Sequence, residues 1–85
     1  MPRPLRLLFF ASAREAVGRA QLDRTVPEEG ADLHGVLREL CREFPKLEPV
    51  VRSSRLAVNG SYVRDRHSRV GPGDELAIHP PFSGG

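Results

Sequence analysis

The chain predicts an α+β fold, a mixed β-sheet packed on one main helix, within a single domain over residues 1–85. Three observations predict it. One long amphipathic pattern runs from Asp32 to Phe44, alternating apolar segments sit near both ends of the chain, and Asn59-Gly60 joins two short strand-like runs between them. A sheet wrapped over one helix satisfies these elements with few connections and puts the first and last strands side by side in its middle. Residues 1–79 form the globular body, and residues 80–85 an extended tail.

Each element has its own signal. Arg6 to Ala11 is rich in strand-favouring aromatic and aliphatic residues. Parity directs Leu5, Leu7, Phe9 and Ala11 to the core and leaves Leu8 and Phe10 outside, where two large apolar groups invite a partner. Ser12 is placed to cap a short helix over 13–17 that Gly18 ends. Ala20 to Val26 alternates as a second strand, with Leu22, Arg24 and Val26 on one face and Pro27 closing it. Asp32 suits the N-cap of the main helix, whose stripe is Leu33, Val36, Leu37, Leu40, Cys41 and Phe44, and Pro45 terminates it. Residues 46–55 have turn and linker character. Arg55 to Val58 then forms a strand, and Asn59-Gly60 returns the chain through Ser61-Tyr62-Val63. Gly71-Pro72-Gly73-Asp74 is a second tight turn. It leads into the last strand, Glu75 to His79, with Leu76 and Ile78 pointing one way and His79 the other.

Composition narrows the function classes. Eighty-five residues, 39% apolar and 28% charged, fit one small domain, because two cores would each be too small to offset their chain entropy. The lone Cys41 excludes an internal disulfide and a thiolate metal cluster, and it sits on the apolar stripe as a core residue; a reducing compartment, the cytoplasm, is expected. Residues 1–13 imitate a signal peptide, but the apolar run of about five residues falls short of the usual 7–15. No stretch approaches the roughly 20 apolar residues of a transmembrane helix, so no membrane partner is expected. The net charge is only +2. Arg52, Arg55, Arg64, Arg66, Arg69 and His67 make a basic region, yet Asp65 interrupts it and Tyr62 is its one aromatic residue, a weak pattern for nucleic acid. Of the 13 lysines and arginines only Lys46 is lysine, so few amines are available for joining this protein to itself.

The ending carries the chemistry. A glycine in a fold supplies a turn or a close backbone approach with chain on either side. Gly84 and Gly85 instead form a tip without side chains bearing a main-chain carboxylate, able to enter a narrow channel in another protein. Pro80 and Pro81 cannot extend a central ladder and favour a polyproline arm, so six such residues reach about 18 Å. The plainer alternative is an ordinary frayed tail. No phosphate-binding glycine loop, dinucleotide fingerprint or metal-ligand spacing occurs, and no resident metal or cofactor is expected. His34, His67 and His79 lack local partners suggesting a metal or a triad. Glu28-Glu29 and Asp74-Glu75 read as solvated pairs at turns. The remaining reactive group is the Gly85 carboxylate, a poor electrophile at neutral pH, which another protein must activate, most directly as an acyl-adenylate made from ATP.

Leu8-Phe9-Phe10-Ala11 followed by Arg14-Glu15 and Val17-Gly18, then Leu56-Ala57-Val58-Asn59, then Gly73-Asp74-Glu75 with Pro80-Pro81-Phe82-Ser83-Gly84-Gly85, resemble the MoaD family, the small subunit of molybdopterin synthase. The resemblance runs nearly end to end. It departs at His79, where an aromatic residue is common, and in the arginine-rich 46–55 connection. It implies a ubiquitin-like β-grasp fold and a sulfur carrier. An E1-like, MoeB-like enzyme adenylates Gly85, a sulfur donor enzyme makes the thiocarboxylate, and the tail enters a MoaE-like large subunit. There the sulfur passes to a cyclic pyranopterin monophosphate in molybdenum cofactor synthesis. Gly84 offers no side chain to obstruct a channel, Pro80 and Pro81 lower the entropy cost of insertion, and Phe82 beside Ser83 anchors the arm. Leu8, Phe10, Tyr62 and His79 form the docking patch, located by the resemblance and composed by strand parity. The chain itself is expected to have no ATP site and no activity alone.

Two other readings stand beside this one. A related carrier serves thiamine, thiolated RNA or cysteine synthesis, or becomes attached to protein lysines. Alternatively, a non-covalent β-grasp module uses the arginine cluster, with the glycine pair incidental. Deleting Gly84 and Gly85 abolishes the carrier activities and spares the last.

Overall fold

A computed structural model of the chain describes residues 3–81. Strand β1 (Leu5–Phe9) buries Leu5, Leu7 and Phe9 and leaves Arg6 exposed and Leu8 half-buried. That alternation suits a strand covered on one face by the core. The strand runs parallel to the last one, Glu75–His79, with Leu7 opposite Leu76 and Phe9 opposite Ile78. Five strands form the main sheet. In chain order β2 is Gln21–Arg24, β3 is Ala31–Asp32, β4 is Arg55–Val58, β5 is Ser61–Val63, β6 is Arg69–Val70 and β7 is Glu75–His79. The sheet order is β2-β1-β7-β4-β5, and every pairing except β1 with β7 is antiparallel. The first and last strands are neighbours at its centre, as the sequence predicts.

Helices α1 (Ala11–Val17), α2 (Leu33–Glu43) and α3 (Leu47–Ser53) supply the other half of the core. Leu33, Val36, Leu37 and Leu40 of α2 are buried in one cluster with Leu5, Leu7 and Phe9 of β1, Leu56 of β4, and Leu76 and Ile78 of β7. Burying each such side chain contributes about 1.5–3 kcal/mol against leaving it exposed. Asp32 caps α2 as its type predicts, accepting a hydrogen bond from the Gly35 amide at 3.2 Å. Asn59 and Gly60 both adopt positive φ, 51° and 85°, the twist a two-residue hairpin needs to join β4 to β5.

Three expectations are corrected, and one element is new. Ala11 does not continue inward along β1: its φ of 50° turns the chain into α1, and it is exposed. Ser12 does not cap that helix, because Phe10 occupies the cap position without a side-chain hydrogen bond. Residues 46–55 are not a linker. Leu47 and Val51, four apart, are buried along α3, and Pro49 is tolerated because it lies in the first turn, whose amides lack intrahelical partners. Finally, β3 and β6 pair as a separate two-residue ladder that positions Asp32.

Asp74 is not a freely solvated acid either. Its Oδ1 accepts from the Asn59 amide at 3.0 Å and its Oδ2 from the Gly71 amide at 2.7 Å, so it ties the last turn to the hairpin. The Asn59 hydrogen bond, then the Gly71 one, holds its carboxyl below the ordinary value.

Candidate functional site

The face of the sheet turned away from the helices carries the site. Its residues follow from parity. Leu8 stands opposite Ala77, Ala77 opposite Ala57, and Ala57 opposite Tyr62, so one row crosses β1, β7, β4 and β5. Ala57 and Ala77 are 5% and 7% exposed yet lie outside the core cluster. Large neighbours on the same face shade them, and the small methyls leave room for rings to lean together.

Phe10 follows β1 with an extended backbone, φ −119° and ψ 151°, and so keeps the parity of Leu8. Its ring stacks on His79 with centroids 4.7 Å apart and planes 8° apart. Tyr62 meets the same imidazole edge-on at 5.9 Å and 76°. Offset stacks and edge contacts are the arrangements aromatic quadrupoles favour, worth about 0.5–1.5 kcal/mol per pair beyond area. Phe10 and Tyr62 nevertheless remain 43% and 60% exposed, the exposed large hydrophobic side chains among the described residues.

The predicted residues Leu8, Phe10, Tyr62 and His79 are therefore brought onto one face, three of them in direct ring contact. Pro80, half-buried, and Pro81, exposed, leave from the His79 end of that face. Phe82, Ser83, Gly84 and Gly85 lie outside the described residues.

Sequence reasoning missed one member of the face. Arg55 stands opposite His79 in the β4–β7 register, and its guanidinium carbon lies 5.3 Å from the centre of the Tyr62 ring. The signal was available: Arg55 precedes the buried Leu56 and so shares the outward parity of Ala57. In sequence it groups with the other arginines, of which Arg64 and Arg66 line one hollow with it and Tyr62, while Arg52 and Arg69 find partners elsewhere. The Arg66 guanidinium donates to the carbonyls of Val51 at 3.0 Å and Ser54 at 2.8 Å and closes the end of α3. Arg69 donates to the carbonyls of Glu29 and Gly30. Arg52 pairs with Glu48 on α3.

A concavity of about 560 Å³ lies elsewhere, between α2 and α3, with Leu37, Cys41 and Val51 in its walls. Burial, and then the Glu48 carboxylate, push the Cys41 thiol above its usual range, which disfavours the nucleophilic thiolate. His34 and His67 come within 5.0 Å of each other, and His67 Nδ1 lies 3.3 Å from the Asp32 carboxylate. Among the described residues no group of three or more His, Cys, Asp or Glu is disposed to hold a metal ion, and no helix is long and apolar enough to cross a membrane.

The exposed rings of Phe10 and Tyr62, packed on His79 next to Pro80 and Pro81, make a surface suited to contact with another protein. The ThiS family model matches residues 7–85. A protein of Arabidopsis thaliana called molybdopterin synthase sulfur carrier subunit is 42% identical over 81 residues, covering 95% of this chain and 82% of its own. The small archaeal modifier protein 1 of Methanosarcina acetivorans superposes with a TM-score of 0.79 at 25% identity, covering 100% of this chain and 99% of its own. A chain in the complex of subunits 1 and 2 of the molybdopterin-converting factor of Helicobacter pylori shares the fold, with a TM-score of 0.68 at 20% identity over 95% of this chain and 97% of its own.

Proposed function

We propose a function from one premise: the chain belongs to the ThiS family. It is the sulfur carrier subunit of a molybdopterin synthase. The observation that carries this reading is the exposed ring cluster of Phe10, His79 and Tyr62 at the root of a tail ending in Gly84-Gly85. The 42% identity to a relative of that name supports it.

In this reading Leu8, Phe10, Tyr62 and His79 dock the body on a MoaE-like large subunit, and Pro80 to Ser83 lead the terminus into its active site. Rings already in mutual contact lose little side-chain freedom on docking, which favours affinity. Gly85 is the reacting residue. An E1-like, MoeB-like enzyme joins its carboxylate to the AMP moiety of ATP and releases pyrophosphate. A sulfur donor enzyme then displaces AMP to leave the thiocarboxylate. ATP therefore belongs to the activating partner, and this chain contributes an acyl group rather than a nucleotide site. The cytoplasm, where reduced thiols persist, suits the thiocarboxylate.

Reconstitution tests the acceptor. The thiocarboxylated chain, mixed with the large subunit and cyclic pyranopterin monophosphate, is expected to yield the dithiolene product and return the carboxylate form. Sulfur retained on the chain in the presence of an active large subunit would contradict the assignment. A second reading, attachment to protein lysines, is favoured by the likeness to an archaeal modifier. It predicts an isopeptide bond from Gly85 to a lysine, detectable as a Ser83-Gly84-Gly85 remnant on that lysine after chymotryptic cleavage behind Phe82.

A further inference from the structure

We infer that Arg55 is a specificity-determining contact of the docking face, and that the large subunit seats a carboxylate against it. The inference rests on the carrier reading above and goes beyond it by fixing the chemistry of the partner.

The outer face is electrostatically polarised along its strands. At the end away from the tail, Arg6 pairs with Asp23 at 3.8 Å and stands opposite Glu75, so both signs are present there. At the tail end stand Phe10, His79 and Arg55, and the next residue after β5, the exposed Arg64. Glu75 is the nearest acid on β7 with the parity of His79, four residues back and about 13 Å away at the rise of a strand. Neither Arg55 nor Arg64 takes part in any ion pair among the described residues.

Arg55 is also held in place. Its guanidinium lies over the Tyr62 ring, and Tyr62 leans on His79. Such a contact orients the cation while leaving its N–H donors free, because a ring face accepts the charge but few of its hydrogen bonds. A surface that covers Phe10, His79 and Tyr62 must cover or border this guanidinium. Removing an unpaired cation from water is costly, and a wholly apolar cover would lose more there than the rings gain. A carboxylate meets the guanidinium as a fork and removes the penalty. The tail root leaves from the same end, so the pair would fix the register in which the tail enters.

The test uses the full chain and its large subunit. Calorimetric titration at two salt concentrations compares the unaltered chain with Arg55→Met, Arg55→Glu and Phe10→Asp. The inference predicts affinity lost by about 10-fold or more for Arg55→Glu, a smaller loss for Arg55→Met, a flatter salt dependence for Arg55→Met, and for Arg55→Glu a loss that shrinks as salt rises. Unchanged affinity and salt slope in Arg55→Glu, while Phe10→Asp abolishes binding, overturns the inference and leaves the carrier reading standing. No binding by the unaltered chain overturns both. Arg55 is exposed, and unaltered thermal melting of its variants separates lost contact from lost fold.

Discussion

Phe10 and His79, near opposite ends of the chain, stack with centroids 4.7 Å apart and planes 8° apart. The contact exists because β1 and β7 are parallel neighbours, so the residues that follow Phe9 and Ile78 emerge side by side on the outer face. First and last strands thereby build the ring cluster together, beside Pro80 and Pro81.

Replacing Phe10 with aspartate should weaken binding to the large subunit by about 10-fold or more, since truncated aromatic anchors dominate interface losses. Folding should not suffer. Phe10 is 43% exposed and is the uncapped N-cap of α1, a position where aspartate is a preferred residue. Calorimetry with a parallel thermal melt checks both halves; equal affinity would remove Phe10 from the interface.

Leu47→Ala should cost about 2–5 kcal/mol, the range for a fully buried leucine. Leu47 is 0% exposed at the start of α3, within a segment that composition alone presents as linker. Urea unfolding measures this, and a loss below about 0.5 kcal/mol, the surface range, would mean that α3 does not pack as described.

Asp74 predicts an acid-side dependence of stability. Its carboxyl is held below the ordinary 3.8, first by the Asn59 hydrogen bond and then by the Gly71 amide. A depressed folded value means that the contribution is present above the unfolded pKa and is lost as pH falls through the lower folded one. The stability gap between the unaltered chain and Asp74→Asn should therefore be full near neutrality and shrink below about pH 4. Urea titrations across that range check it, and a gap that does not change with pH would contradict the clamp.

Much of this fold is legible because its signals are long or sharp. The α2 stripe spans three turns, Asn59-Gly60 admits few conformations, and the alternation of β1 and β7 assigns each side chain a face. The same parity turns Leu8, Phe10 and His79 away from the core, and the family resemblance puts them on one patch. What escaped is short or context-made. Seven residues with a proline in the first turn give α3 too few repeats to declare a period, and two-residue strands such as β3 and β6 have none. Ala11 departs from β1 parity through a positive φ that its side chain does not announce. Arginines near in sequence read as one surface, but Arg66 and Arg69 are taken up by backbone carbonyls while Arg55 lies over the Tyr62 ring.

The central claim is that Gly85 carries sulfur. The most direct measurement is the intact mass of the chain after incubation with ATP, the activating enzyme and a sulfur donor. A gain equal to one carboxylate oxygen replaced by sulfur is expected, absent when Gly85 is deleted. An unchanged mass with an activating enzyme shown to be active on another carrier would contradict it.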